Sequence, residues 1–211
     1  MNRLLAPFLG SVLLVAGCSS TAVTSRSSRG DRPPCCREPL PGTASAPMPS
    51  GSLYQLESDW TSDQGRRIRL SQLRGRHQVV ALFFSNCEYA CPVIVGDMRR
   101  IQAALPEPVR EDVDFLLVSL DPERDTPERL RQFRSERGLP TAHWTLLHGR
   151  EDDVRELAAV LGIQYRKDSR GQFAHSNVIS LLSPDGEVVA RQRGLYQDPS
   201  DLVRQVRPSA K

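Results

Sequence analysis

The sequence predicts an α/β domain with a mixed central sheet flanked by helices and an N-terminal β-hairpin extension. Three observations carry this expectation. Apolar runs of strand length alternate with segments whose apolar residues recur every three or four positions. The first central run, residues 79–84, passes almost directly into Cys87 and Cys91 at the head of a helical pattern. The last two runs are joined by Ser183-Pro184-Asp185-Gly186, a turn that closes a hairpin and so brings antiparallel pairing into the sheet.

Before the domain, residues 1–17 read as an export signal: Arg3 supplies the positive start, residues 4–14 the apolar middle, and Val15-Ala16-Gly17 a small-residue approach to Cys18. The apolar run is too short for a membrane span. Val15-Ala16-Gly17-Cys18 resembles the bacterial lipoprotein box, which implies lipid attachment at Cys18 and a chain held at a membrane on the extracytoplasmic, periplasmic side. Residues 18–51 are rich in Ser, Thr, Pro, Gly, Ala and Arg without an apolar period and read as a flexible stalk, within which lie the adjacent Cys35 and Cys36. The folded domain is expected over residues 52–211.

Within it, residues 53–56 and 67–70 read as two short strands joined across Thr61-Ser62-Asp63-Gln64-Gly65. After the strand at 79–84, a helix follows Pro92, with Ile94, Met98, Ile101 and Leu105 on one face; Pro92 suits a first turn, where its missing N–H is no loss. Residues 115–120 form a second buried strand. A helix from Pro127, capped by Thr126 or Asp125, turns Leu130 and Phe133 inward and stops at Gly138-Leu139-Pro140. A short strand at 144–147 precedes a helix whose inner stripe is Val154, Leu157, Ala158 and Leu161, ending at Gly162. Strands at 178–182 and 187–191 flank the closing turn, and a last helix starts at 199–201 with Leu202 and Val203 inward. With a dithiol between the first central strand and its helix, the pattern is thioredoxin-like.

The chain has 211 residues, 39% apolar and 25% charged, which supports an organised core without metal or disulfide. The net charge is only +3, and the arginines are interleaved with Asp and Glu, so nucleic acid is not an expected partner.

Thiols in the first turn of a helix sit beside unpaired backbone N–H groups and the positive end of the helix dipole, which favours thiolate. Cys87 and Cys91, with three residues between them, can close a disulfide or act as a two-sulfur claw. Outside the cytoplasm a reduced pair needs a reductant, a metal, or both. A thioredoxin-like oxidoreductase is expected to carry a proline before the strand that faces the dithiol. Residues 170–177 hold no proline and one histidine, His175. Two thiolates and an imidazole make a three-coordinate set that suits copper, leaving one negative charge around Cu(I) and none around Cu(II). Zinc would call for a fourth protein ligand if structural, or water if catalytic, and no further Cys or His stands at motif spacing. His77, His143 and His148 read as surface or loop histidines.

Cys87-x-x-x-Cys91-Pro92, then Asp121-Pro122-Glu123-Arg124-Asp125-Thr126-Pro127, then His175 ahead of the Ser183–Gly186 turn, resembles the SCO1/SenC family in motif and order over roughly residues 53–206. Glu88 stands where many members have proline. The resemblance implies a membrane-tethered, thioredoxin-fold copper protein of cytochrome c oxidase assembly. It implies Cys87, Cys91 and His175 as copper ligands, and Asp121 as a group near the site that supports the ligands or docks a partner. The function so implied is a copper chaperone for the copper-bearing subunit of cytochrome c oxidase or another extracytoplasmic cuproprotein, with no turnover required. The other reading is a thiol:disulfide oxidoreductase in which Cys87 attacks and Cys91 resolves, supplied by a thiol reductant and preparing the acceptor's cysteines for metal. A purely structural disulfide would leave His175 and the Asp-Pro segment unexplained.

Overall fold

The computed structural model describes residues 47–207, so the expected signal, Cys18, Cys35, Cys36 and most of the stalk lie outside the described residues. The elements are β1 (Asp59–Ser62), β2 (Arg67–Arg69), β3 (His77–Phe83), α1 (Ala90–Ala104), α2 (Glu107–Arg110), β4 (Val113–Ser119), α3 (Pro127–Glu136), β5 (Trp144–His148), α4 (Glu151–Leu161), β6 (Tyr165–Lys167), β7 (Phe173–His175), β8 (Val178–Leu182), β9 (Val188–Arg193) and α5 (Ser200–Val203). A seven-stranded sheet runs β2-β1-β5-β4-β3-β8-β9, while β6 and β7 pair only with each other. β3, β4 and β5 are parallel; the flanking pairs are antiparallel, which makes the sheet mixed.

All seven residues of β3 are buried, as a central strand covered on both faces must be. Its side chains alternate. Val79, Ala81 and Phe83 pack with α1, α3 and Leu202 of α5, whereas Val80 and Leu82 pack with α4 and the N-terminal segment. The stripe of α1 is as its spacing predicts: Ile94, Met98, Ile101 and Leu105 are all essentially inaccessible. Thr126 caps α3 by accepting from Arg129 N–H at 3.3 Å, and Gly162 ends α4 in the left-handed conformation at φ 68°. No helix among the described residues is long and apolar enough to cross a membrane.

Three local expectations are corrected. Residues 53–56 are not a strand: Leu53–Gln55 is a 3-10 turn, capped by Ser52 Oγ on Tyr54 N–H at 3.1 Å. Leu53 and Tyr54 both need burial, and a turn places them on the α4 side of the sheet, which an alternating strand does not. The strand that pairs with β2 begins at Asp59 and takes in Thr61 and Ser62, so the loop tightens to Asp63-Gln64-Gly65-Arg66, with Gly65 at φ 76°. His77 is not at the surface; it opens β3 and its ring nitrogens face the carbonyls of Leu182 and Arg207 at 2.9 and 3.0 Å. Two elements carried no sequence signal. α2 is a single turn around Pro108, and the β6–β7 hairpin has strands of three residues, too short to show a period.

The N-terminal hairpin is pinned by a buried ion pair. Asp63, at its turn, accepts from Arg134 Nε and Nη2 at 2.5 and 2.9 Å, and Arg134 also donates to the carbonyls of Pro140 and Trp144. Removing the carboxylate strands a buried guanidinium. Asp63→Ala is therefore expected to lower unfolding stability by about 3–5 kcal/mol, read from urea denaturation; a loss below about 1 kcal/mol would mean that the pair holds nothing.

Candidate metal centre

β3 and β4 end side by side, with Phe83 opposite Ser119, and Leu120 N–H continues the pairing to Phe83 O at 2.7 Å. The loops that follow, bearing Cys87 and Asp121, thus leave the sheet at one edge. β8 runs antiparallel to β3 on its other side, so the chain enters β8 at this same edge, bringing His175 with it. Topology alone gathers the residues that the motifs single out.

The thiols meet at the head of α1. Cys91 lies inside the first turn and is fully buried; Cys87 is half-buried, and both are free thiols. Cys87 Sγ accepts from Cys91 N–H at 3.3 Å, and Cys91 Sγ accepts from Phe84 N–H at 3.5 Å. The Cys91 thiol donating to Cys87, helped by the N–H groups of Cys91, Tyr89 and Ala90, brings the Cys87 thiol down to about 5 against the opposing effect of burial. Its partner moves the other way: the bond to Cys87 and burial push Cys91 up. One proton is shared by two sulfurs, and Cys87 carries the negative charge.

His175 closes β7 and packs its ring edge-on to Phe84, centroids 6.2 Å apart. Its Nδ1 lies 3.2 Å from Ser176 O. A carbonyl only accepts, so Nδ1 carries the proton and Nε2 the lone pair. Nε2 is buried and has no hydrogen-bond partner. Burial also lowers the imidazole's pKa, against the pull of Ser176 and the Cys87 charge, so the ring is held neutral. A neutral imidazole with an unclaimed lone pair is the form in which histidine ligates metal. Phe84 is the wall between the two halves, touching Cys91 through its N–H and His175 through its ring. The structure places the halves at one edge without closing them: among the described residues, no three His, Cys, Asp or Glu side chains are gathered as a metal cage.

Asp121 sits beside this edge, almost wholly buried, with neither carboxylate oxygen hydrogen-bonded. Arg124 lies 3.5 Å and Lys167 3.8 Å away. Burial raises its pKa, and those two cations oppose the rise. The residue that sequence reasoning overlooked is Asp125, considered only as a cap. Its carboxylate accepts from Ser85 N–H at 3.0 Å, from Ser85 Oγ and from Ser119 Oγ at 2.5 Å, tying the end of β4 to the loop that leads to Cys87. The available signal was Ser85 and Ser119, hydroxyls in or next to buried strands that require partners.

The thiolate assignment has a direct reading in pH. Site-resolved alkylation by iodoacetamide is expected to rise at Cys87 with a midpoint near pH 5 and to leave Cys91 untouched at neutral pH, followed by peptide mass spectrometry. A Cys87 midpoint of 8 to 9, the ordinary thiol range, would remove the electrostatic argument.

Comparison with known proteins agrees with the geometry. The SCO1/SenC family model matches residues 49–211. A Stutzerimonas stutzeri protein provisionally named for copper binding is 30% identical over 155 residues, covering 72% of each chain. The crystal structure of a SCO1/SenC family lipoprotein from Bacillus anthracis str. Ames is similar at 26% identity and a TM-score of 0.65, over 72% of this chain and 92% of that one. So is BsSco, a member of the Sco family of cytochrome c oxidase assembly proteins in which a disulfide switch was identified. It shares 26% identity at a TM-score of 0.62, over 70% of this chain and 88% of that one. With the family model covering the whole folded domain, the thioredoxin-like fold in place and the dithiol at the head of its first central helix, this chain belongs to the SCO1/SenC family.

Proposed function

We propose that the protein is a membrane-tethered copper chaperone that binds one copper through Cys87, Cys91 and His175 and passes it by ligand exchange to an extracytoplasmic cuproprotein, the copper-bearing subunit of cytochrome c oxidase. The observation that carries the reading is the buried, unpartnered Nε2 of His175 at the same end of the sheet as a dithiol whose outer thiol has its pKa lowered to about 5. A buried lone pair without a donor is unfavourable, by roughly 1–3 kcal/mol for an unsatisfied polar group. A soft cation satisfies it. Two sulfurs and one imidazole match copper better than a hard cation, which takes oxygen ligands. Since the three groups are not gathered as a cage, loading closes the remaining distance between the imidazole and the two sulfurs. Likeness supports the partner and the tether: BsSco is named among oxidase assembly proteins, and the Bacillus anthracis relative is named a lipoprotein, in keeping with the resemblance of Val15-Ala16-Gly17-Cys18 to a lipoprotein box.

The depressed Cys87 thiol favours a second activity at the same sulfurs. As a reductant, Cys87 attacks an acceptor disulfide, Cys91 displaces the acceptor's sulfur, and the pair ends oxidised, to be restored by a thiol reductant.

A full-length chain carrying Cys18→Ser, Cys35→Ser and Cys36→Ser isolates the site. It is expected to bind one copper, with sulfur-to-copper charge transfer and imidazole-nitrogen coupling in the Cu(II) spectra. His175→Ala should remove the nitrogen coupling and weaken binding by more than the roughly tenfold typical for loss of a merely orienting partner. If His175→Ala leaves affinity and spectra unchanged while disulfide reduction is brisk, the chaperone reading falls and the reductase stands.

A further inference from the structure

We infer that residues 121–125 form a two-ended brace that sets the spacing between the dithiol and the imidazole, with Arg124 as the positioning residue at the histidine end. The inference rests on the copper reading above, because a spacing matters only if both halves hold one ion.

The β6–β7 hairpin makes no ladder with the seven-stranded sheet, and two strands of three residues are marginal on their own. Its position depends on what grips it. Arg124 donates from Nη1 to Gly171 O, 2.9 Å away at the hairpin tip. Gly171 is at φ 74°, and a Cβ there would come within 2.0 Å of Arg124 Nη2, so the glycine serves both the turn and the grip. Lys167 of β6 reaches back to Glu123 at 2.5 Å and lies 5.6 Å over the ring of Phe173. Phe173 in turn packs on Phe84, centroids 5.2 Å apart. At the other end, Asp125 holds Ser85, two residues before Cys87, through both its N–H and its hydroxyl. The segment is itself stiff: Arg124 and Asp125 N–H both bond Asp121 O, at 3.1 and 2.9 Å. One rigid turn thus grips the loop of the thiols and the hairpin of the histidine. Orienting partners of this kind typically affect metal affinity by ten- to a hundredfold.

The test uses the same full-length background. Arg124→Ala is expected to weaken Cu(II) binding about tenfold and to weaken the imidazole-nitrogen coupling, with sulfur-to-copper absorption retained. Arg124→Lys, which still offers a donor to Gly171 O, should recover most of both. Gly171→Ala gives a second route: it should weaken copper binding when Arg124 is present and do so less in Arg124→Ala, where the clash is gone. Lost affinity with nitrogen coupling intact would mark Arg124 as structural only and overturn the brace. So would wild-type spectra in Arg124→Ala. If the unsubstituted site shows no nitrogen coupling at all, the ligand reading of His175 fails first and the brace with it, an outcome distinct from either.

Discussion

The register between β3 and β4 is the constraint on which the site depends. Because Phe83 stands opposite Ser119, the two strands stop together, and the loops that leave them share one edge. Asp125 can then span from one loop to the other and satisfy two hydroxyls and an N–H with one carboxylate. A shift of one residue would turn Val79, Ala81 and Phe83 off the α1 face and break that span. Packing of apolar alternation on both sheet faces is what makes such a shift unfavourable, so the chemistry at the edge is fixed by a core several residues away from it.

Burial then separates the two sulfurs. They are four residues apart in sequence, yet one is fully enclosed and the other half-exposed, because the helix begins between them. The hydrogen bond between the sulfurs, reinforced by enclosure, keeps the proton on Cys91, and the Cys91 thiol and the backbone N–H groups around Cys87 stabilise its charge. At the imidazole it is burial that holds the ring neutral, and the single carbonyl it meets dictates which nitrogen keeps the lone pair. Hydrogen bonding sets the state of the sulfurs and burial that of the imidazole, with no cationic side chain behind either.

Much of this was legible in the sequence, for a reason visible in particular residues. The stripe Ile94, Met98, Ile101, Leu105 and the turn Ser183–Gly186 are each set by local periodicity or local φ preference, and both stand where the sequence places them. What was not legible depends on partners distant in the chain. Leu53 and Tyr54 look like strand residues but take a turn because Gly186 O accepts Leu53 N–H from the far hairpin. The β6–β7 hairpin is polar on most positions and is held by Lys167 and Arg124 contacts that no spacing announces. Asp125 looked like a helix cap, and only its distance to Ser85, forty residues away, shows otherwise.

The unequal enclosure of the two cysteines has a consequence for traffic through the site. A molecule arriving from solvent can touch only the outer sulfur, since the inner one lies behind Phe84 and the first turn of α1. Under the proposed copper reading exchange is sequential: an incoming thiol or ligand competes first at residue 87, and residue 91 is the last to let go. That order gives the proposed hand-over a direction, from the half-exposed sulfur to the enclosed one.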